Sequence, residues 1–237
     1  GVANVSAEEK VTLDFAAIET AYGTKLWPEI IEAYKQVNPN VDIKLTMEKE
    51  LEDAITPRLQ SGDYPDVVLL AQSRKKALPE TLIKDKALAD LTDVLDMKVP
   101  GEDKTVKEKL LPGFTDSTST NPYNDGKTYL MPMFYSPTGL FYNKALFKAK
   151  GWEVPKTWDQ MWKLAEEAKK ENIALFTYPT AGYLDTFFSS VIYSAGGAEL
   201  FNKAMNYDPE VWSGADLTKV FETLGELAKN TEATTVA

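Results

Sequence analysis

Residues 11–71 read VTLDFAAIETAYGTKLWPEIIEAYKQVNPNVDIKLTMEKELEDAITPRLQSGDYPDVVLLA, and the alternation within them decides the fold class. Val11 to Ile18 reads as a strand, and Trp27 to Val37 as a helix ended by Asn38 and Pro39. Val41 to Met47 reads as a second strand, Glu50 to Gln60 as a second helix and Asp66 to Ala71 as a third strand. Strands separated by helices predict a largely parallel sheet covered on both faces, hence an α/β fold. Ligands of such sheets bind beyond the carboxyl ends of the strands. The loops of interest are therefore 19–24, 48–49 and 72–74.

Beyond this region, residues 99–125 are mostly polar and read as a long surface connection, with Pro100, Gly101, Pro112, Gly113 and the tract TDSTSTNP. Residues 126–160 then read GKTYLMPMFYSPTGLFYNKALFKAKGWEVPKTWDQ. Asn124, Asp125 and Gly126 supply a tight turn, and the run from Thr128 to Tyr142 has the aromatic, Thr and Leu content of strands. Pro132 and Pro137 remove two donors from any ladder, so the run is expected at a sheet edge, as a crossing between two domains. Thr157 and Gln160 form a capping box ahead of an apolar stripe of Trp158, Met161, Trp162, Ala165 and Ala168. Ala174 to Tyr178 reads as a strand. Tyr183 to Ser194 reads as a helix with Phe187, Val191 and Ile192 as core candidates, ended by Ala195, Gly196 and Gly197. A last helix, Leu217 to Lys229, carries Leu217, Val220, Phe221, Leu224 and Leu227, which need a partner surface.

Taken in order, several motifs resemble the extracellular solute-binding proteins of ABC importers, the class that includes the maltose-binding proteins. They are the first strand, the Trp27–Pro28 helix, NPNVDIKL at 38–45, SGDYPDVVLL at 61–70, MPMFYSPTGLFYNKALF, PKTWDQ and the AGG at 195–197. The resemblance implies a two-lobed periplasmic-binding-protein-like fold that closes over a ligand in an interlobe cleft. Members are longer, so it also implies that this chain covers only part of that fold, as an N-terminal fragment. Residues 1–134 would then be the first lobe, incomplete without a returning segment, and 135–237 part of the second. A monomer is expected. The implied partners are an oligosaccharide ligand and the permease subunits of an ABC transporter. The implied location is extracellular, as a Gram-positive surface lipoprotein whose lipid-bearing cysteine is not in this sequence, or periplasmic.

Composition narrows the chemistry independently. The 237 residues allow two lobes. The balance of 36 acidic against 26 basic residues gives a net charge of −10, which disfavours nucleic acid as a partner. KKALPETLIKDK, from Lys75 to Lys86, is the nearest approach to a basic patch and reads as a solvated helix face. There is no cysteine, so no disulfide or thiol chemistry, and no histidine. Histidine absence removes the commonest general base and metal ligand, and every Ser–His or Cys–His nucleophile. No metal site, cofactor or catalytic residue is expected.

Sugar sites combine aromatic platforms with carboxylate, amide and hydroxyl groups. Glu19, Thr20 and Tyr22 follow the first strand, Glu48 follows the second, and Gln72 and Ser73 follow the third; Thr20 has a turn role as its alternative, and the others a cap or surface role. Tyr135 and Ser136 lie in the expected crossing, as ligand contacts or as hinge. Tyr183 stands where the resembled sugar binders carry a stacking aromatic, and Asp185 is either a ligand contact or a helix cap. Trp27, Trp158 and Trp162 lie on apolar helix stripes and are expected in the core. Ala181 and Gly182 replace a carboxylate that maltose binders carry, which counts against maltose. The leading function is thus binding of an extracellular carbohydrate for delivery to a permease, without enzymatic activity. The alternatives are a non-sugar solute such as a peptide or polyamine and, from another class, a glycoside hydrolase built on two carboxylates.

Overall fold

Val11–Ile18 form β1, the centre of a three-strand parallel sheet ordered β2-β1-β3 among the described residues. The structure is a computed structural model that describes residues 9–177 and 184–232, with backbone alone for Leu184 and Asp185. Two compact units divide at Ala89 and Asp90.

In the first unit, β1 is followed by α1 (Leu26–Val37), β2 (Val41–Glu48), α2 (Leu51–Gln60), β3 (Val67–Leu69) and α3 (Leu78–Lys84). Val11 pairs with Val41 and Ile18 with Glu48, so β1 and β2 end level. On β3, Val67 pairs with Phe15 and Leu69 with Ala17. Period-two alternation then sorts β1 between the faces of the sheet. Ala16 and Ile18 pack with Leu51 and Ile55 of α2 and Leu78 and Leu82 of α3 into a buried cluster. Phe15, one step out of phase, meets Trp27 of α1 edge-on, ring centres 5.0 Å apart. Trp27 is therefore a packing residue, as expected. Yet α1 buries no residue, and Ile30, Tyr34 and Val37 stay exposed along its apolar stripe.

The expected strand from Asp66 to Ala71 is shorter in the structure. At its start, the Asp66 N–H donates to the Asp14 carbonyl at 2.9 Å, while the Asp66 carboxylate accepts from the Asp14 N–H at 2.8 Å. A side chain thus takes the place of one ladder acceptor. The stretch from Lys75 to Lys86 contains α3, whose Leu78, Pro79 and Leu82 are buried while its lysines face solvent.

The second unit is helical: α4 (Thr92–Leu95), α5 (Val106–Lys109), α6 (Lys144–Lys150), α7 (Trp158–Lys170), α8 (Leu184–Met205), α9 (Pro209–Trp212) and α10 (Ala215–Lys229). Val191, Ile192, Leu200 and Ala204 of α8 meet Leu217, Val220 and Leu227 of α10 in its core. The stripe of α10 therefore has its partner in α8. Phe221 is the exception, 52% exposed, although its ring lies 5.5 Å from Phe188. Trp158 and Trp162 stack at 5.7 Å and pack against this core. The Thr157 hydroxyl caps α7 by accepting from the Gln160 N–H at 3.2 Å, but the Gln160 side chain accepts from Lys156 rather than from Thr157.

Two sequence expectations need correction here. Residues 128–142 form no strand. With Pro132 and Pro137 in the run, the residues from Met133 to Tyr142 stay outside regular structure and exposed. Instead of a strand from Ala174 onward, the described residues show a single parallel bridge between Phe176 and Thr231. The helix containing Val191 is interrupted at the glycines, as expected, and the chain kinks there. Gly197 takes φ 66°, ψ −159°, and a second helical stretch continues to Met205. Within the polar connection, Thr105 and Glu108 make a reciprocal capping box around α5.

Candidate functional site

Six of the expected site residues share one edge of the first unit. Because β1 and β2 end level, the Glu19 N–H continues the ladder one step further, donating to the Glu48 carbonyl at 2.9 Å. Glu19 is half-buried and Glu48 exposed. Thr20 forms the turn that follows. Its carbonyl accepts from Gly23 at 3.0 Å and its hydroxyl from the Tyr22 N–H at 3.3 Å, so the geometry at Thr20 is that of a turn residue. The turn leaves Tyr22 53% exposed. Gln72 and Ser73, past the end of β3, are exposed, and Ser73 is left-handed at φ 62°. The edge thus carries two carboxylates, an amide and three hydroxyls, one of them on the aromatic ring of Tyr22, the group types a polyol recognises.

The remaining expected residues belong to the second unit. Tyr135 is 56% exposed, with its ring 5.1 Å from Phe114, and Ser136 is exposed beside it. Tyr183 lies outside the described residues. Asp185 sits at the start of α8, and its side chain also lies outside them. Trp212 is bound into the fold, donating from Nε1 to the Ala204 carbonyl at 2.9 Å. Trp152 packs edge-on against Phe147 at 5.7 Å.

One residue at this edge escaped the sequence reading. Arg74, in the loop after β3, makes a bidentate pair with Glu52 of α2, Nε to Oε1 and Nη2 to Oε2 at 3.0 Å. Nη2 also donates to the Lys49 carbonyl at 2.9 Å and to Glu50 at 3.4 Å. Glu52 is only 4% exposed, and a carboxylate so buried must be paired. The hydrogen bond from Arg74 holds its carboxyl below the ordinary value of 4.5, against the desolvation that would raise it. The signal in the sequence was a Glu in the first turn of a helix, beside Leu51 and three residues before Ile55 on the face that turns inward. Periodicity alone does not name its partner.

A separate cavity of about 290 Å³ opens in the second unit between the last turns of α7 and α10, lined by Ala165, Lys169, Ile173, Lys229, Thr231 and Glu232. None of the expected site residues lines it. Among the described residues no group of three or more acidic side chains gathers as a metal site, and no helix is long and apolar enough to cross a membrane.

Comparison with known proteins bears on what this edge serves. A sequence model described as bacterial extracellular solute-binding protein matches residues 17–234. A multiple sugar-binding protein of Streptococcus mutans is 27% identical over 209 residues, covering 86% of this chain and 46% of that protein. A diacetylchitobiose-binding protein of Streptomyces coelicolor is 27% identical over 228 residues, covering 92% of this chain and 45% of that protein. The chain thus spans about half the length of these relatives. In fold it is similar to the apo form of RafE from Streptococcus pneumoniae, with a TM-score of 0.61 and 19% identity over 97% of this chain and 57% of that one.

Proposed function

The chain belongs to the family of bacterial extracellular solute-binding proteins, and from that premise we propose that it binds an extracellular carbohydrate, an oligosaccharide, and presents it to the permease of an ABC transporter. The observation that carries the reading is the set Glu19, Tyr22, Glu48, Gln72 and Ser73 gathered at the carboxyl ends of parallel strands. Two sugar-binding relatives at 27% identity support the choice of ligand class.

In this reading the carboxylates and Gln72 accept and donate to sugar hydroxyls, while aromatic rings stack on C–H faces. Tyr135, Ser136, Tyr183 and Asp185 would contribute the second side of the site, with the lobe boundary between residues 134 and 135. Binding that engages both lobes would favour the closed form, which the permease reads. The protein would act as a monomer outside the cytoplasmic membrane, held there by a lipid anchor or retained in a periplasm. It would bind its ligand without turning it over.

The test is calorimetric titration of the full polypeptide with raffinose, N,N′-diacetylchitobiose and longer oligosaccharides, with spermidine and a short peptide as controls. Saturable binding of a glycan, recovered unaltered, is expected. Binding of spermidine or peptide alone would replace the carbohydrate reading, and release of shorter sugars would replace binding with hydrolysis.

A further inference from the structure

We propose that Arg74 is a positioning residue for the candidate ligand edge: it locks the turn carrying Gln72 and Ser73 to the turn that directly follows Glu48, so that side chains from two strand ends are presented as one preorganised surface. The inference rests on the solute-binding reading of that edge.

The turn after β3 does not hold itself. Ser73 and Ala77 both lie in the left-handed region, at φ 62° and φ 50°, and neither is a glycine. Such residues persist only where surrounding structure over-determines them. Between them the Ala77 N–H closes onto the Arg74 carbonyl at 3.0 Å. The external constraint is the Arg74 side chain. It reaches 22 residues back to both oxygens of buried Glu52, and 25 residues back to the Lys49 carbonyl, the residue next to Glu48. A planar guanidinium forking onto a carboxylate fixes direction as well as distance, which a lysine ammonium does not. Lys76, paired with Asp53, makes a parallel tie from the same turn to the same helix.

Two features separate this role from a general contribution to stability. The contacts tie the turn after β3 to the turn after β2, through Lys49 and Glu50, and to the first turn of α2, through Glu52, without involving the side chains of Ala16, Ile18, Leu51 or Ile55. Arg74 also spends its charge on Glu52 and Glu50, so its function at the edge is geometric. Binding sites lose affinity when supporting residues loosen, because ordering the groups must then be done at the expense of binding.

The test uses the full polypeptide carrying R74M, R74K, E52Q and the R74M/E52Q pair. Amide hydrogen exchange is read by peptide, and affinity is measured for raffinose, then for N,N′-diacetylchitobiose. R74M is expected to speed exchange at 71–77 and at 49–52 together while leaving β1 and α10 protected, and to weaken glycan binding about tenfold, the equivalent of about 1.4 kcal/mol. E52Q should weaken binding similarly although residue 52 is buried, R74K should fall between, and the double variant should be no worse than the weaker single one.

Unchanged exchange in both turns overturns the proposal. So does loss of affinity in R74M with full affinity in E52Q, which would make Arg74 a direct ligand contact. If neither glycan binds the parent protein, the carbohydrate reading fails, while the joint exchange response of the two turns still decides the clamp. Should R74M not fold, R74K and E52Q give the same decision.

Discussion

Replacing Gly197 by alanine distinguishes a kinked α8 from a continuous helix by the sign of its effect. In an uninterrupted helix, exchanging Gly for Ala stabilises by about 1 kcal/mol, because glycine is the entropically costlier residue. Here Gly197 sits at φ 66°, ψ −159°, the mirror image of polyproline II and a region closed to L side chains. Forcing alanine into it costs about 1–3 kcal/mol. Space is not the obstacle, since a Cβ at position 197 meets nothing within 4 Å. The strain is therefore purely in the backbone. Urea unfolding followed by tryptophan fluorescence is a suitable assay, because Trp152, Trp158, Trp162 and Trp212 report on the second unit and only Trp27 on the first. With a denaturant slope of about 2 kcal/mol per molar, a loss of about 2 kcal/mol lowers the midpoint by about 1 M. Gly196→Ala should destabilise for a different reason, because a Cβ there falls 2.6 Å from the Leu200 Cβ. A rise in midpoint for Gly197→Ala, accompanied by increased ellipticity at 222 nm, would refute the kink.

Three further outcomes follow from the same structure. Leu217→Ala, at a fully buried position, should cost about 2–5 kcal/mol in the same assay. Phe221→Ala, one turn along but 52% exposed, should stay well below that; equal losses would mean that Phe221 is covered. The Tyr129 hydroxyl donates to the Asp125 carboxylate at 2.8 Å, which pushes its pKa up from 10.0 to about 12. A group whose folded value is raised contributes stability that is complete below pH 10 and lost as pH climbs through about 12. Ultraviolet titration should show one late-ionising tyrosine that Asp125→Asn returns to the main transition. Glu52 has the opposite sign: its folded value is lowered by Arg74 beneath 4.5, so its contribution is complete above pH 4.5 and disappears as pH falls through the depressed value. The stability gap between the parent protein and Glu52→Gln should accordingly narrow with acidification, and a gap that widens would reverse the assignment.

Local order was readable from the chain to within a residue or two. β1 has the expected bounds, and α1 and α2 each start one residue from the expected position and stop where expected. Those signals are local because caps, turn residues and apolar periodicity act within a few residues. The family was legible for the same reason, as a series of short motifs in fixed order matching residues 17–234. The run from Thr128 to Tyr142 shows where that reasoning fails. Strand-like composition supplies residues that suit a ladder, but a ladder also needs a neighbour, and two prolines withdraw its donors.

At the candidate site the division is similar. Composition and position after strands singled out Glu19, Tyr22, Glu48, Gln72 and Ser73, and the parallel register brings them to one edge. Composition and local pattern alone yield an acidic α/β chain without histidine or cysteine, the order of its main elements and the family to which it belongs. Folding contacts add that Arg74 answers Glu52 across 22 residues, that α8 covers Leu217 while Phe221 stays open, and that a second helical stretch resumes beyond Gly197. The physical reason is that hydrogen-bond direction, burial and backbone strain belong to pairs of segments, and a pair has no properties until folding chooses its members.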